Sequence, residues 1–399
     1  MKQERALPHA VITPKAEKSV RAGHPWIYDT EVISISGECE NGGVIDVVSA
    51  KGAYLGTGFL SRSSKIRIRL LTRNASDCIN GSFFARRVSY AVAYRRTVMG
   101  GDFSCCRLIF GEADGLPGVT VDRYGNILVT EILSVGSERV KDSIYSALRQ
   151  EIGGIRGIYE RNESPIRALE GLKQYKGWYG EPSEPYSEIT ENGIHYTVDV
   201  ENGQKTGFFL DQKYNRRAVM SLSRGMKVLD CFTHTGSFAL CAAAGGAEKV
   251  VAADVSGKAI ADARANAERN GLSDRMDFVC ADVFDLLPEL IERRARFDMI
   301  ILDPPAFTKS RKTVSGAERG YKEINYRAMR LLPRGGYLAT CSCSHFMTEP
   351  LFFQTLKSAA DDAGVSLRLA EFRHASPDHP ILIGVPETDY LKFCIFQVI

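Results

Sequence analysis

From about residue 190 onward, short apolar β-branched runs alternate with helical stretches, and this rhythm restricts the fold more than any other feature of the chain. Strand-like runs lie at Val228-Leu229-Asp230, Val250 to Asp254, Met276 to Asp282, Phe297 to Asp303 and Tyr337 to Cys343. Helical segments separate them at Gly236 to Ala244, Lys258 to Asn270, 317–332 and 349–363. Right-handed crossovers wind such a series into a parallel sheet with helices on both faces. Ligands of open α/β sheets bind beyond the carboxyl ends of the strands. Four of these runs end in aspartate: Asp230, Asp254, Asp282 and Asp303. Gathering that much negative charge around one crevice is costly unless a cationic or hydroxyl-rich ligand sits there.

The spacing and the first loop narrow the ligand. Asp254 follows Asp230 by 24 residues, near the roughly 20-residue spacing at which a second acid meets ribose hydroxyls in nucleotide folds. The intervening loop, Cys231-Phe232-Thr233-His234-Thr235-Gly236, lacks Gly-x-Gly-x-x-Gly. A pyrophosphate needs the close backbone approach those glycines allow. A nucleoside cofactor without phosphate, such as S-adenosylmethionine, tolerates the bulkier loop, and its sulfonium suits a carboxylate rim.

Chemistry is concentrated between Asp303-Pro304-Pro305-Ala306-Phe307 and Thr340-Cys341-Ser342-Cys343-Ser344. An Asp-Pro-Pro turn holds a carboxylate and rigid carbonyls at a pocket edge, because proline fixes φ and removes a donor. A thiol nearby can attack an electron-poor ring, which suggests chemistry on a nucleobase. The other reading of either cysteine is a small buried hydrophobe, and Cys341 shares a face with Cys343. The ten cysteines are scattered and read as reduced thiols. No Cys-x-x-Cys pair occurs, and no zinc-ligand spacing is present, so no metal is expected.

Charge divides unevenly along the chain. Residues 1–100 hold 15 Lys+Arg against 8 Asp+Glu, whereas the whole chain carries only +3. Within the basic part, Ser64-Lys65-Ile66-Arg67-Ile68-Arg69-Leu70 alternates strictly, which puts Lys65, Arg67 and Arg69 on one face of a strand. That face is either solvated or phosphate-binding, and Arg62, Arg73, Arg86, Arg87, Arg95 and Arg96 nearby favour nucleic acid. Short β-rich segments before residue 75 read as a small barrel. Beyond them, a helix over Gly81 to Met99, a hairpin turning at Tyr124-Gly125-Asn126, a helix near 137–150 and a strand at Gly157 to Glu160 make a small α+β unit. Pro182 and Pro185 read as a linker. No long apolar run appears and the chain opens with Lys2, Glu4 and Arg5, so a cytoplasmic protein with no membrane association is expected.

Several motifs, taken in order, carry a resemblance. They are Gly23-His24-Pro25-Trp26-Ile27-Tyr28, Gly111 to Gly118 (GEADGLPG), Lys205 to Gln212 (KTGFFLDQ), Leu229 to Gly236 (LDCFTHTG), Asp303 to Phe307 and Ser342-Cys343-Ser344. Over essentially its whole length the chain resembles the three-domain bacterial ribosomal RNA large-subunit cytosine-C5 methyltransferases. That resemblance implies an α/β fold: a Rossmann-like class I S-adenosylmethionine-dependent methyltransferase domain (191–399), preceded by a PUA-like RNA-binding β-barrel (1–75) and a small α+β domain (76–190).

It also implies roles. Asp230, Phe232, Thr235 and Gly236 would surround the methionine end of the cofactor; Asp254 and Val255 would hold ribose and adenine; Asp282 and Val283 would contact the adenine amine and ring. Phe208, Phe209, Asp211 and Gln212 would cover the cofactor. Cys343 would be the nucleophile, with Asp303 on the N3 and amine edge of the base. The implied partner is large-subunit ribosomal RNA, with a homodimer as the assembly considered. Two other readings stay open: a base-nitrogen methyltransferase, such as a guanine-N7 enzyme, which needs no thiol, and a non-catalytic RNA-binding assembly factor.

Overall fold

The computed structural model describes residues 7–308 and 310–399; Lys2, Glu4 and Arg5 lie outside them. The chain forms two compact units. One contains residues up to Ile189 with Val198–Leu210 and Pro377–Thr388; the other contains Thr190–Thr197, Asp211–Ser376 and Asp389–Ile399. The stretch read as a linker therefore leads into a hairpin, Tyr186–Glu191 with Ile194–Asp199, whose residues are shared between both units.

The first unit carries two sheets. The N-terminal one has six strands in the order Trp26–Tyr28, Ile66–Thr72, Tyr54–Leu60, Val44–Ser49, His9–Ile12, Val32–Ser36. Alternating apolar residues Ala10, Ile12, Ile27, Ile45, Val47, Leu60 and Ile68 bury together as its core. The second sheet has five strands, in the order Tyr175–Trp178, Gly157–Asn162, Ile127–Ile132, Val119–Tyr124, Cys105–Phe110. Tyr124 pairs with Ile127 across the expected two-residue turn, where Gly125 takes φ +60°. The helix read over Gly81 to Met99 occupies that range, with the Asn80 side chain accepting from Phe83 N at its start. A second helix spans Val135–Ile152.

The basic strand departs from its expected role. Lys65 is exposed and Arg67 half-buried, but Arg69 is buried. Its guanidinium pairs with Glu170 at 3.1 Å and Glu112 at 3.3 Å and lies over Trp26, 5.5 Å from the ring centroid. Ile66–Thr72 is an inner strand of its sheet, and the face expected to be cationic is covered near Arg69 by acids from the α+β segment. Strand alternation fixes which side a residue faces, not whether another layer covers it.

The second unit is one seven-stranded sheet. Its strands are β1 (Lys227–Cys231), β2 (Lys249–Asp254), β3 (Met276–Cys280), β4 (Met299–Leu302), β5 (Tyr337–Ser342), β6 (Leu367–Arg373) and β7 (Lys392–Val398), in the order β3-β2-β1-β4-β5-β7-β6. β1 to β5 are parallel, and β7 runs antiparallel to both β5 and β6. Leu229, Ile300, Leu302 and Leu338 form a core with helix residues Leu287, Ile324 and Ala359. Two-sided burial of this kind explains why β4 reads as an unbroken apolar run. Beside the sheet, Arg216 and Glu191 form a fully buried ion pair at 2.6 Å.

Arg69→Gln should lower unfolding stability by about 3 kcal/mol, since it leaves buried carboxylates unpaired, while Lys65→Gln should change it by under about 0.5 kcal/mol. Denaturant titration of both variants checks this; equal small effects would return Arg69 to the surface.

Candidate active site at the strand ends

Register brings the acids to one edge. Cys231 pairs with Ala253 on one side and Leu302 on the other, Leu302 with Thr340, and Asp254 with Cys280. Asp230, Asp254, Asp282 and Asp303 therefore all lie at the carboxyl ends of four adjacent strands.

The loop after β1 is built under strain. Phe232, His234 and Gly236 take φ of 63°, 51° and 83°, a left-handed region that costs about 1–2 kcal/mol for a side-chain-bearing residue. A Cβ at Gly236 would also meet Ala263 Cβ at 3.0 Å. Bonds that hold the loop include Thr233 N donating to Ala253 O at 3.0 Å, Gly236 N to Thr233 O at 2.9 Å, His234 N to Asp254 Oδ2 at 2.9 Å, and Asn266 Nδ2 to Thr235 O at 3.1 Å.

Under this loop Asp230 is fully buried. Its Oδ2 accepts from Thr233 Oγ1 at 2.5 Å and Ala239 N at 2.9 Å. Among the described residues its Oδ1 is buried without a hydrogen-bond partner, as is Thr235 Oγ1. Burial, with smaller contributions from the charges of Asp303 and Asp254, pushes the Asp230 carboxyl up to about 7. A buried acceptor and a buried hydroxyl lacking partners, ringed by acids, fit the cationic amino-acid end of S-adenosylmethionine.

The next strand end suits a nucleoside. Asp254 is half-buried and also accepts from Ser256 N at 2.9 Å, while Val255 is 70% exposed, an apolar surface for a ring. Asp282 is exposed and caps the following helix through Phe284 N at 2.8 Å. Val283, the first residue of the Val283–Glu292 helix, is only 2% exposed, and its side chain packs in the core with Leu229 and Leu287.

A second cluster forms where β4 and β5 end. Because Leu302 is level with Thr340, Asp303 falls level with Cys341, and the Cys341 thiol donates to Asp303 Oδ1 at 2.9 Å. Gln212 Nε2 donates to the same Asp303 oxygen at 3.2 Å and to Cys341 Sγ at 3.3 Å. Asn215 Nδ2 fixes the Gln212 carbonyl at 2.6 Å. Cys341 is buried, and burial together with the Asp303 charge pushes its thiol well above the usual range. Burial likewise raises Asp303. Cys343, one step beyond the strand, is half-buried, with Sγ 3.9 Å from Pro304 O.

Gln212 thus joins Asp303 and Cys341 at the edge of β4 and β5. Asp211 accepts from Tyr390 Oη at 2.6 Å. Phe209 belongs to the other compact unit, where Lys205 Nζ lies 4.6 Å from its ring centroid.

Lys392 was missed. Its Nζ is buried against Ser344 O at 2.7 Å and Tyr390 O at 2.8 Å. Burial pulls this amine down to about 8, opposed chiefly by the nearby charge of Asp389. A lone lysine in the run Leu391-Lys392-Phe393-Cys394-Ile395 was the available signal, since lysine is rarely buried without a partner.

Fold and strand-end site together define a class I S-adenosylmethionine-dependent methyltransferase. An S-adenosylmethionine-dependent methyltransferase family matches residues 173–393, and a PUA-like domain family matches residues 10–73. The chain belongs to the family of ribosomal RNA large subunit methyltransferase I. It is 43% identical over 380 residues to that protein of Photobacterium profundum (94% of this chain, 96% of the relative) and 40% identical over 389 residues to that of Klebsiella pneumoniae (97% of each). Among solved structures, an S-adenosylmethionine-dependent methyltransferase from Streptococcus mutans superposes with a TM-score of 0.83 at 23% identity, covering 98% of this chain and 100% of its own. A methyltransferase complexed with S-adenosylhomocysteine superposes at 0.85, also at 23% identity and with the same coverage. Both show the same fold.

The raised Asp230 carboxyl has a sign. Without ligand, its contribution to stability is full below its unfolded pKa near 4 and is lost as pH rises through about 7. Asp230→Asn removes that loss, so its stability relative to the parent should climb by on the order of 2–4 kcal/mol between pH 4 and 8. Urea unfolding across this range checks it; a pH-independent difference contradicts the burial of an ionisable Asp230.

Proposed function

We propose that this protein methylates carbon 5 of a cytosine in large-subunit ribosomal RNA through a covalent adduct to Cys343. The observation that carries the reading is the meeting of the Asp-Pro-Pro loop with the end of β5, which places a carboxyl and two thiols of unlike character at one sheet edge. Cytosine carbon 5 is a poor nucleophile until a thiolate adds to carbon 6. Cys341 is ill-suited to that role, because burial and the Asp303 carboxylate both disfavour its thiolate. Cys343 is more accessible, being half-buried just past the strand end, and the thiolate is the form that attacks. Asp303, level with Cys341 at this edge, would hydrogen-bond the N3 and amine edge of the base and so stabilise the adduct. Gln212 and Cys341 hold that carboxyl in position.

S-adenosylmethionine supplies an electrophilic methyl group. Asp230 and Thr235 would receive its amino-acid end, Asp254 the ribose hydroxyls, and Val255 and Asp282 the adenine. Lys65 and Arg67 remain candidates for phosphate contact. Among the described residues no helix is long and apolar enough to cross a membrane, and ribosomal RNA as substrate supports a cytoplasmic site of action.

Cys343→Ala should abolish methylation and the covalent complex with RNA containing 5-fluorocytidine, where fluorine blocks the release that proton loss normally permits. Cys341→Ala should retain both, and cofactor binding should persist in each. Normal methylation by Cys343→Ala would instead support a base-nitrogen enzyme.

Asp254→Ala should weaken S-adenosylmethionine binding by about 1.5–3 kcal/mol through loss of charged acceptors. Calorimetry showing unchanged affinity would refute the ribose assignment.

A further inference from the structure

Two of the sequence motifs, Gly23 to Tyr28 and Gly111 to Gly118, have no part in the strand-end chemistry, yet they meet within the first unit. Together with Leu70–Arg73 and the Gly81–Met99 helix they wall an open cleft of about 430 Å³. The acids in its wall already have cations. Glu112 accepts from Trp26 Nε1 at 2.8 Å and pairs with Arg69, and Asp114 pairs with Arg95 while accepting from Phe110 N at 2.6 Å.

Two arginines in the wall are different. Arg73 donates to Gly23 O at 2.7 Å and Arg87 to Leu71 O at 3.0 Å. Neither forms an ion pair with a carboxylate among the described residues, and Arg87 Nε is buried with no hydrogen-bond partner. Burial lowers both guanidinium pKa values, opposed at Arg87 by the charge of Asp77. Gly115, at φ +66°, packs so closely that a Cβ there would lie 3.3 Å from Arg87 Nη1.

One and two helical turns on from Arg87, two aromatic rings stand on the same helix face. Tyr90 is 62% and Tyr94 38% exposed. The Tyr94 hydroxyl is anchored to Pro377 O at 3.0 Å, whereas the Tyr90 hydroxyl makes no hydrogen bond among the described residues. An exposed ring beside guanidiniums that make no direct ion pair among the described residues is the combination that binds a single-stranded nucleotide: the phosphate meets the cations and the base stacks on the ring.

We propose that this cleft holds an unpaired nucleotide of the substrate RNA, with its phosphate on Arg73 and Arg87 and its base on Tyr90. The proposal rests on ribosomal RNA being the substrate, and it assigns the cleft to RNA binding rather than to chemistry.

The test uses the full-length protein and a single-stranded-loop-containing fragment of large-subunit RNA. Tyr90→Ala should weaken binding roughly tenfold or more, Tyr90→Phe should bind as the parent does, and Arg73→Gln with Arg87→Gln should flatten the salt dependence by about 1.4 in log–log slope. In methylation assays KM should rise with kcat kept at saturating RNA, and S-adenosylmethionine affinity should stay constant, which also reports an intact fold. Parent-like binding by Tyr90→Ala overturns the proposal. So does loss of RNA binding only in the arginine pair, which would mark a site for anions without a base. If the parent protein itself fails to bind the RNA, the substrate reading falls and this inference with it.

Discussion

The parallel register of β1, β4 and β5 is the constraint on which the site depends. Cys231, Leu302 and Thr340 lie level across the three strands, so the residues just beyond them arrive together: the strained loop of Phe232 to Gly236, then Asp303, then Cys341. A slip of one residue in β5 would turn its side chains to the opposite face and remove Cys341 from Asp303. The apolar runs Ile300-Ile301-Leu302 and Tyr337-Leu338-Ala339 enforce the register because both of their faces are buried.

Electrostatics then separate groups that are chemically alike. Among the strand-end acids, Asp230 is fully enclosed and pushed upward, while Asp282 caps a helix in solvent. Of the two thiols, Cys341 is held neutral against a carboxylate, and Cys343 sits half-buried past the strand end. Environment distinguishes the members of each pair, a pattern that marks sites where groups of one type take different roles.

Much of this architecture was legible in the sequence because its signals are local. The βα rhythm placed five strands, the Gly81–Met99 helix was readable from its Ala-, Arg- and Tyr-rich composition, and the hairpin at Gly125-Asn126 from turn chemistry. β6 was not read, since Leu-Arg-Leu-Ala-Glu-Phe-Arg on an edge strand offers no apolar run. Arg69, Val283, Gln212 and Lys392 share another reason. Each acquires its role from a partner remote in sequence: Glu170 for Arg69, the core at Leu229 for Val283, Asp303 for Gln212, Ser344 for Lys392. Periodicity reports which face a residue occupies and says nothing about the layer that covers that face.

The central claim is that the carboxyl edge of this sheet directs a methyl group to carbon rather than nitrogen. Incubation of unmethylated large-subunit RNA with the enzyme and methyl-deuterated S-adenosylmethionine, followed by digestion and nucleoside mass spectrometry, tests it most directly. The account predicts the label in 5-methylcytidine. Label in 7-methylguanosine or another nitrogen-methylated nucleoside, with none in 5-methylcytidine, would contradict it.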